Sequence, residues 1–199
     1  MGDNVKIGID IDGVVLDFER LVRTYAELYD VIELNGNGLI AKDGNRFQER
    51  YNWDETELTR FKNKYFISLS KEAKLMPGVK DVIDLLKRDG HELIVISARG
   101  NDYNEMKNVV EKIFKKENLN FDKYYWKQVD KVNVALSEKI DIMIDDSYEI
   151  CKKMSDVEIE TLYFRDKNMK KINSEYVIDV SNWGEIYRVI NKMNIKNIQ

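Results

Sequence analysis

The sequence predicts an α/β fold with a central parallel sheet, and three observations predict it. Short apolar runs of strand length alternate with amphipathic stretches of helical length, the pattern of βαβ units. Three of those runs end directly in carboxylates or a hydroxyl: Asp10 and Asp12, Ser97, then Asp145 and Asp146. One polar, mostly helical stretch, about residues 17 to 76, breaks the alternation and is too long for a single crossover. It is expected to form a small cap inserted after the first strand. Residues 1–16 and 77–199 then form the core.

The elements follow in order. Val5 to Ile11 is apolar and β-rich and reads as a buried strand running into a loop at Asp12-Gly13. Leu21, Val22, Tyr25, Leu28 and Tyr29 recur near helical spacing, so a helix is expected over about Phe18 to Tyr29. Asn35-Gly36, Asn37-Gly38 and Asp43-Gly44 are turn signals and allow a small hairpin. Asp54 to Phe66 reads as a helix, with Asp54 or Thr56 near its cap. Pro77-Gly78 marks a restart, and Val79 to Arg88 is an amphipathic helix ended by Asp89-Gly90. Glu92 to Ser97 is the second strand, Asn104 to Glu117 a helix, and Lys123 to Trp126 a short strand or loop. Lys131 to Ser137 suggests a helix before the strand Ile140 to Asp145. Strands at Glu160 to Phe164 and Tyr176 to Val180 and a helix from Trp183 to Met193 close the chain.

Composition narrows the class. The chain has 199 residues, 43% apolar and 34% charged, which suits one compact domain with a modest insertion. It holds no apolar run of about 18 residues, so no membrane span is expected. Met1 to Ile11 lacks the layout of a signal peptide, and the single cysteine, Cys151, leaves no disulfide within the chain. A cytoplasmic protein is expected, monomer or homodimer. The net charge of −4 disfavours a nucleic-acid polymer as partner. It permits a small anionic substrate, because a bound divalent cation inverts the local field.

In open α/β sheets, ligands sit at the carboxyl ends of the strands. Three strand ends here present carboxylates and a hydroxyl to one face. Any one Asp at such a position is more often a turn former or helix cap. Clustered like charges, however, repel unless a cation neutralises them. The set therefore points to a hard cation held by oxygen ligands, magnesium being the common one in phosphate chemistry. His91, at the Gly90 turn, and Cys151 read as structural.

Asp10-Ile11-Asp12-Gly13-Val14-Val15 resembles the first signature of the haloacid dehalogenase superfamily in its phosphatase form. Ser97 after Leu93-Ile94-Val95-Ile96 resembles the second motif, Lys131 the third, and Ile142-Met143-Ile144-Asp145-Asp146 the fourth. The resemblance implies a three-layer Rossmann-like fold and a magnesium-dependent phosphoric monoester hydrolase. Asp10 would be the nucleophile and Asp12 the general acid and base. Asp at the position of Asp12 argues against dehalogenation. Magnesium would be held by Asp10, the backbone carbonyl of Asp12, and Asp145, with Asp146 the alternative to Asp145. Ser97 would hold a phosphoryl oxygen, and Lys131 would supply fixed positive charge. Lys127 competes for that role; Lys139 should lie on the wrong face.

Phe18, after Asp17, resembles the extension of the first motif in the 5'(3')-deoxyribonucleotidase and 5'-nucleotidase-like family, whose matching aromatic lines the base pocket. The implied substrate is a small phosphorylated one, a nucleoside monophosphate. Tyr51 and Trp53 offer stacking surface or pack the cap's own core. Arg99 is placed to reach phosphate or to lie on a surface loop. A phosphatase for a sugar or polyol phosphate, a phosphotransferase or mutase, and a non-catalytic binding protein are the alternatives.

Overall fold

The described residues form a six-stranded sheet in which every pair of neighbouring strands is parallel. The structure, a computed structural model, describes residues 4–44, 46–101, 103–166 and 169–196. The elements are β1 (Lys6–Ile9), α1 (Phe18–Glu33), α2 (Phe47–Arg50), α3 (Glu55–Glu72), α4 (Val79–Arg88), β2 (Glu92–Ile96) and α5 (Asn104–Lys116). They continue with β3 (Lys123–Tyr125), α6 (Val132–Glu138), β4 (Ile142–Asp145), α7 (Tyr148–Asp156), β5 (Glu160–Phe164), β6 (Val177–Val180) and α8 (Trp183–Lys196).

Strand alternation builds the layers. Ile7, Ile9, Leu93, Val95, Ile142 and Ile144 face one side and share a core with Val82 and Leu86 of α4, Val110 of α5 and Trp183 of α8. Ile94, Ile96 and Met143 face the other side and pack on Ala135 of α6 and Ile150 and Met154 of α7. Because successive side chains point to opposite faces, continuous apolar runs are what a sheet covered on both sides requires.

Register then positions the chemistry. Ile9 pairs with Val95 on one side and Ile144 on the other. The next residues, Asp10 and Asp145, therefore emerge side by side. They do so where β1 lies between β2 and β4, the point at which the strand order reverses and ligands bind.

Residues 17–74 leave and rejoin the core through adjacent strands of chain. Leu16 bridges Leu75, Asp17 N donates to the Lys74 carbonyl at 3.0 Å, and Met76 N donates to Val15 at 2.8 Å. Within this segment α1 packs along α3 around an aromatic core that includes Tyr29, Phe47, Trp53 and Phe61. Asp54 caps α3, accepting from Glu57 N at 2.8 Å. The Asn-Gly turns do not make a hairpin of their own among the described residues. Leu39 instead pairs with Tyr51 across α2, and buried Asp30 pins both flanks by accepting from Gly38 N at 3.2 Å and Trp53 Nε1 at 2.8 Å. That expected turn region includes residue 45, which lies outside the described residues. The chain does turn at Asn35-Gly36, both with positive φ and with Gly36 N donating to the Asp30 carbonyl at 2.8 Å, but the turn ends α1 rather than closing a hairpin.

Candidate active site

Asp10 is anchored by its own backbone, whose N–H donates to the Ile144 carbonyl at 3.0 Å. Its carboxylate is buried and lies 2.7 Å from Lys131 Nζ. Lys131, at the head of α6, also reaches Asp145 Oδ2 at 2.6 Å. Asp145 is fully buried, and its second oxygen accepts from Ser147 N at 2.8 Å. Lys127 sits apart, its backbone N–H donating to the Arg99 carbonyl, and Lys139 ends α6. Of the candidate lysines the structure thus brings Lys131 to Asp10.

Asp10, Asp145 and Asp146 each offer an oxygen, and these atoms lie within 4.8 Å of one another. Asp146 joins the cluster alongside Asp145 rather than replacing it. Gly13 makes room for it. Its φ of +78° is the left-handed region, and a Cβ there would lie 2.0 Å from Asp146 Oδ2. Gly13→Ala is therefore expected to displace the Asp146 carboxylate and weaken magnesium binding roughly tenfold or more, the range seen when groups that orient a metal ligand are lost. Magnesium titrations followed by thermal shift would check this; an unchanged midpoint would remove Asp146 from the ligand set.

Asp12 does not face the cluster alone. Arg99 Nε–H is shared by its two oxygens at 2.8 and 2.9 Å, and Arg99 Nη2 donates to Oδ1 at 2.5 Å. Arg99 is buried, not on a surface loop. Its guanidinium also donates to Ser70 Oγ on α3 and lies 4.7 Å over the Phe18 ring. Phe18 itself is buried, edge-on to Phe66 at 5.5 Å, so its ring supports Arg99. Ser97 is buried and its Oγ accepts from Arg99 N at 3.2 Å, which leaves the hydroxyl proton for another acceptor. Tyr51 and Trp53 stack on each other at 4.5 Å inside the segment's core and do not line the cleft.

Glu19, in the first turn of α1, is the site residue that sequence reasoning missed. It lines the same cleft. Burial, then the charge of Asp12, pushes its carboxyl up to about 7 against the opposing pull of Arg23, Arg46 and Arg99. Burial is also the first cause raising Asp10 to about 7; Lys131 opposes it, while Asp145 and Asp12 add to it. Asp146 is raised well above the usual carboxylate range by burial, then by Glu19, Asp10 and Asp145. Burial works against the charge on Lys131, but Asp10 and Asp145 outweigh it and its pKa is raised. Cys151 is buried, its thiol raised by burial, and it donates to the Asp145 carbonyl at 3.4 Å, a structural role.

The site thus holds more acid than the protein's own cations neutralise. Three crowded carboxylates, Asp10, Asp145 and Asp146, fit a hard divalent cation. They open onto a cleft of about 370 Å³ walled by α3 and by the loops after β1, β2 and β4. A larger groove of about 710 Å³ between α3 and α5 is lined by lysines, aliphatic residues and the glutamates Glu72 and Glu117, and holds none of the three clustered aspartates.

The chain matches no protein-family model and no curated protein. Solved structures do match it over nearly its whole length. A haloacid dehalogenase-like hydrolase from Streptococcus pneumoniae superposes with a TM-score of 0.66 at 14% identity, covering 94% of this chain and 98% of that one. A phosphatase assigned by prediction from Clostridium acetobutylicum gives a TM-score of 0.65 at 16% identity, with 95% and 99% covered. The fold is that of the haloacid dehalogenase-like hydrolases. CbbY from Rhodobacter sphaeroides, solved with phosphate, shares it at a TM-score of 0.59 and 16% identity, with 92% and 96% covered. Among the described residues no helix is long and apolar enough to cross a membrane.

Proposed function

We propose that the chain is a magnesium-dependent phosphomonoester hydrolase working through an aspartyl-phosphate on Asp10. The observation that carries the reading is Asp10, buried, held 2.7 Å from Lys131, and within 4.8 Å of Asp145 and Asp146 at the floor of an open cleft. A carboxylate fixed in this way is a preorganised nucleophile. Attack on phosphorus breaks the ester P–O bond and leaves the phosphoryl group on Asp10. Asp12 gives a proton to the departing alkoxide, then takes one from the water that attacks phosphorus and regenerates Asp10. Both Asp12 oxygens now meet Arg99 donors, so substrate arrival must loosen that pairing for Asp12 to carry a proton. Ser97 donates to a phosphoryl oxygen, and Lys131 keeps positive charge beside the reacting group. Asp10, Asp145 and Asp146 would hold magnesium, with the Asp12 carbonyl a further ligand; the ion supplies neutralisation of phosphoryl charge and in-line orientation.

Residues 17–76 act as the cap. Their paired linkers at Leu16 and Leu75 leave the segment joined to the core at one edge, and α3 lies over the strand ends. Substrate preference then comes from the cap face. Half-buried Phe66 and Tyr103 give an aromatic wall that favours a nucleoside monophosphate. Arg46, Gln48 and Lys62, which also line the cleft, favour a smaller polar substrate such as a sugar phosphate, the second reading.

Phosphate release from nucleoside monophosphates and sugar phosphates, with magnesium and with chelator, tests both levels. Release is expected with magnesium and is expected to vanish with chelator. The preferred substrate decides between nucleotide and sugar. Release that survives chelation would remove the metal from the reaction.

A further inference from the structure

Residues spaced by four on α3 share one face of the helix. Ser70, Phe66 and Lys62 are such a set, and all bear on the cleft or its floor. They form a gradient. Ser70 is fully buried and bonded to Arg99, which holds Asp12. Phe66 is half-buried and touches Phe18 and Tyr103. Lys62, also half-buried, stands two turns further out, roughly 12 Å along the axis from Ser70 at 1.5 Å per residue.

Lys62 differs from the other cations of the site. Lys131 is matched by Asp10 and Asp145, Arg99 by Asp12, and Arg46 by Glu149 at 3.5 Å. Its neighbour on the helix, Lys64, pairs with Glu33 at 2.6 Å. Among the described residues nothing pairs with Lys62 or hydrogen-bonds it. Gln48, which also lines the cleft, has no side-chain hydrogen bond among the described residues. A half-buried ammonium on the cleft wall, with no acid paired to it among the described residues, is the complement of an anion that arrives with the ligand.

We infer that Lys62 selects substrates carrying a second anionic group, a carboxylate or another phosphate, several bonds from the phosphoryl that Asp10 attacks. The inference rests on the phosphomonoesterase reading and names its substrate class. The scissile phosphate sits at Asp10, the middle of the substrate runs along Phe66 and Tyr103, and the remote anion meets Lys62 with Gln48 beside it. The class includes nucleoside bisphosphates and phosphorylated sugar acids. Neutral-tailed monophosphates lack the second anion.

Matched substrates isolate the tail: hexyl phosphate, hexanediol bisphosphate and phosphorylated hydroxyhexanoate, with a nucleoside monophosphate against its bisphosphate. A charge-assisted contact predicts a kcat/KM advantage of about tenfold or more for the anionic tail. Lys62→Met should bring that ratio towards one, Lys62→Glu should invert it, and Lys64→Met should leave the ratio as in the parent. A better phosphate tail than carboxylate tail, or the reverse, identifies the group. Parent ratios near one, or an advantage that survives Lys62→Met, would overturn the inference. Absence of release from every substrate would fail the phosphatase reading instead. Calorimetric binding of the same pairs to Asp10→Asn, with and without Lys62→Met, then still decides the role of Lys62, since binding needs no turnover.

Discussion

Asp10→Asn is expected to lose turnover by roughly 10⁴-fold or more, the scale of removing a nucleophile, and yet to melt at a higher temperature than the parent in the absence of magnesium. Asn keeps the shape and can still accept from Lys131 through Oδ1, but it removes one charge from a buried acidic cluster. The pH dependence has a definite sign. Asp10 is raised to about 7 from an ordinary carboxylate value of 3.8. Between those values the native state holds a proton that the unfolded chain has lost, so this group's contribution to stability falls as pH rises through the window. Glu19, also raised to about 7, and Asp146 act in the same direction. The gain in Tm from Asp10→Asn should therefore be larger at pH 8 than at pH 5. Magnesium should stabilise the parent more at the higher pH, because the ion competes with protons for the same oxygens. Calorimetry at the two pH values, with and without magnesium, measures this. A variant that melts lower at both would make Asp10 a structural anchor, and its lost activity would no longer identify a nucleophile.

Much of this was legible in the sequence because it depends on neighbours in the chain. Val79 to Arg88 carries its own helical periodicity and the helix has those bounds. The strand ends at Asp10 and Asp145 mark themselves, since an apolar run must stop where carboxylates begin, and the parallel register does the rest. What was not legible lies in contacts across the chain. The pairing of Asp12 with Arg99 joins residues 87 apart in sequence, and the same guanidinium is shared with Ser70 of α3. Nothing near Glu19 distinguishes it from any acidic residue in a first helical turn, where such residues are common. One signal was available: it stands nine residues after Asp10 and directly follows Phe18 in the first turn of α1. The turn signal at Asn35-Gly36 was right and the hairpin it allowed was not: both residues take positive φ, but the chain then runs to buried Asp30, which ties Gly38 to Trp53.

Lys131→Met reverses the stability effect while also removing activity, and the contrast with Asp10→Asn separates charge balance from fold. Lys131 Nζ is shared by Asp10 at 2.7 Å and Asp145 at 2.6 Å, and all three side chains are buried. Taking away the cation leaves two carboxylates facing each other without a counter-charge. Breaking a buried pair from one side costs about 3–5 kcal/mol, a large part of the total stability of a domain this size. Methionine fills the space of the aliphatic stem, so the loss reports charge rather than a cavity. The unpaired carboxylates should then protonate more readily, which makes Asp10 a weaker nucleophile near neutral pH. Two measurements follow. Denaturant unfolding without magnesium should place Lys131→Met well below the parent, and added magnesium should restore more stability to the variant than to the parent, because the ion replaces a missing charge. Turnover should stay depressed even when magnesium restores the fold, since an ion bound at the cluster does not return the ammonium beside the phosphoryl group. The double variant Asp10→Asn/Lys131→Met should be more stable than Lys131→Met alone, the coupling expected of two groups in direct contact. Additive effects in that pair would mean that Lys131 and Asp10 do not share charge.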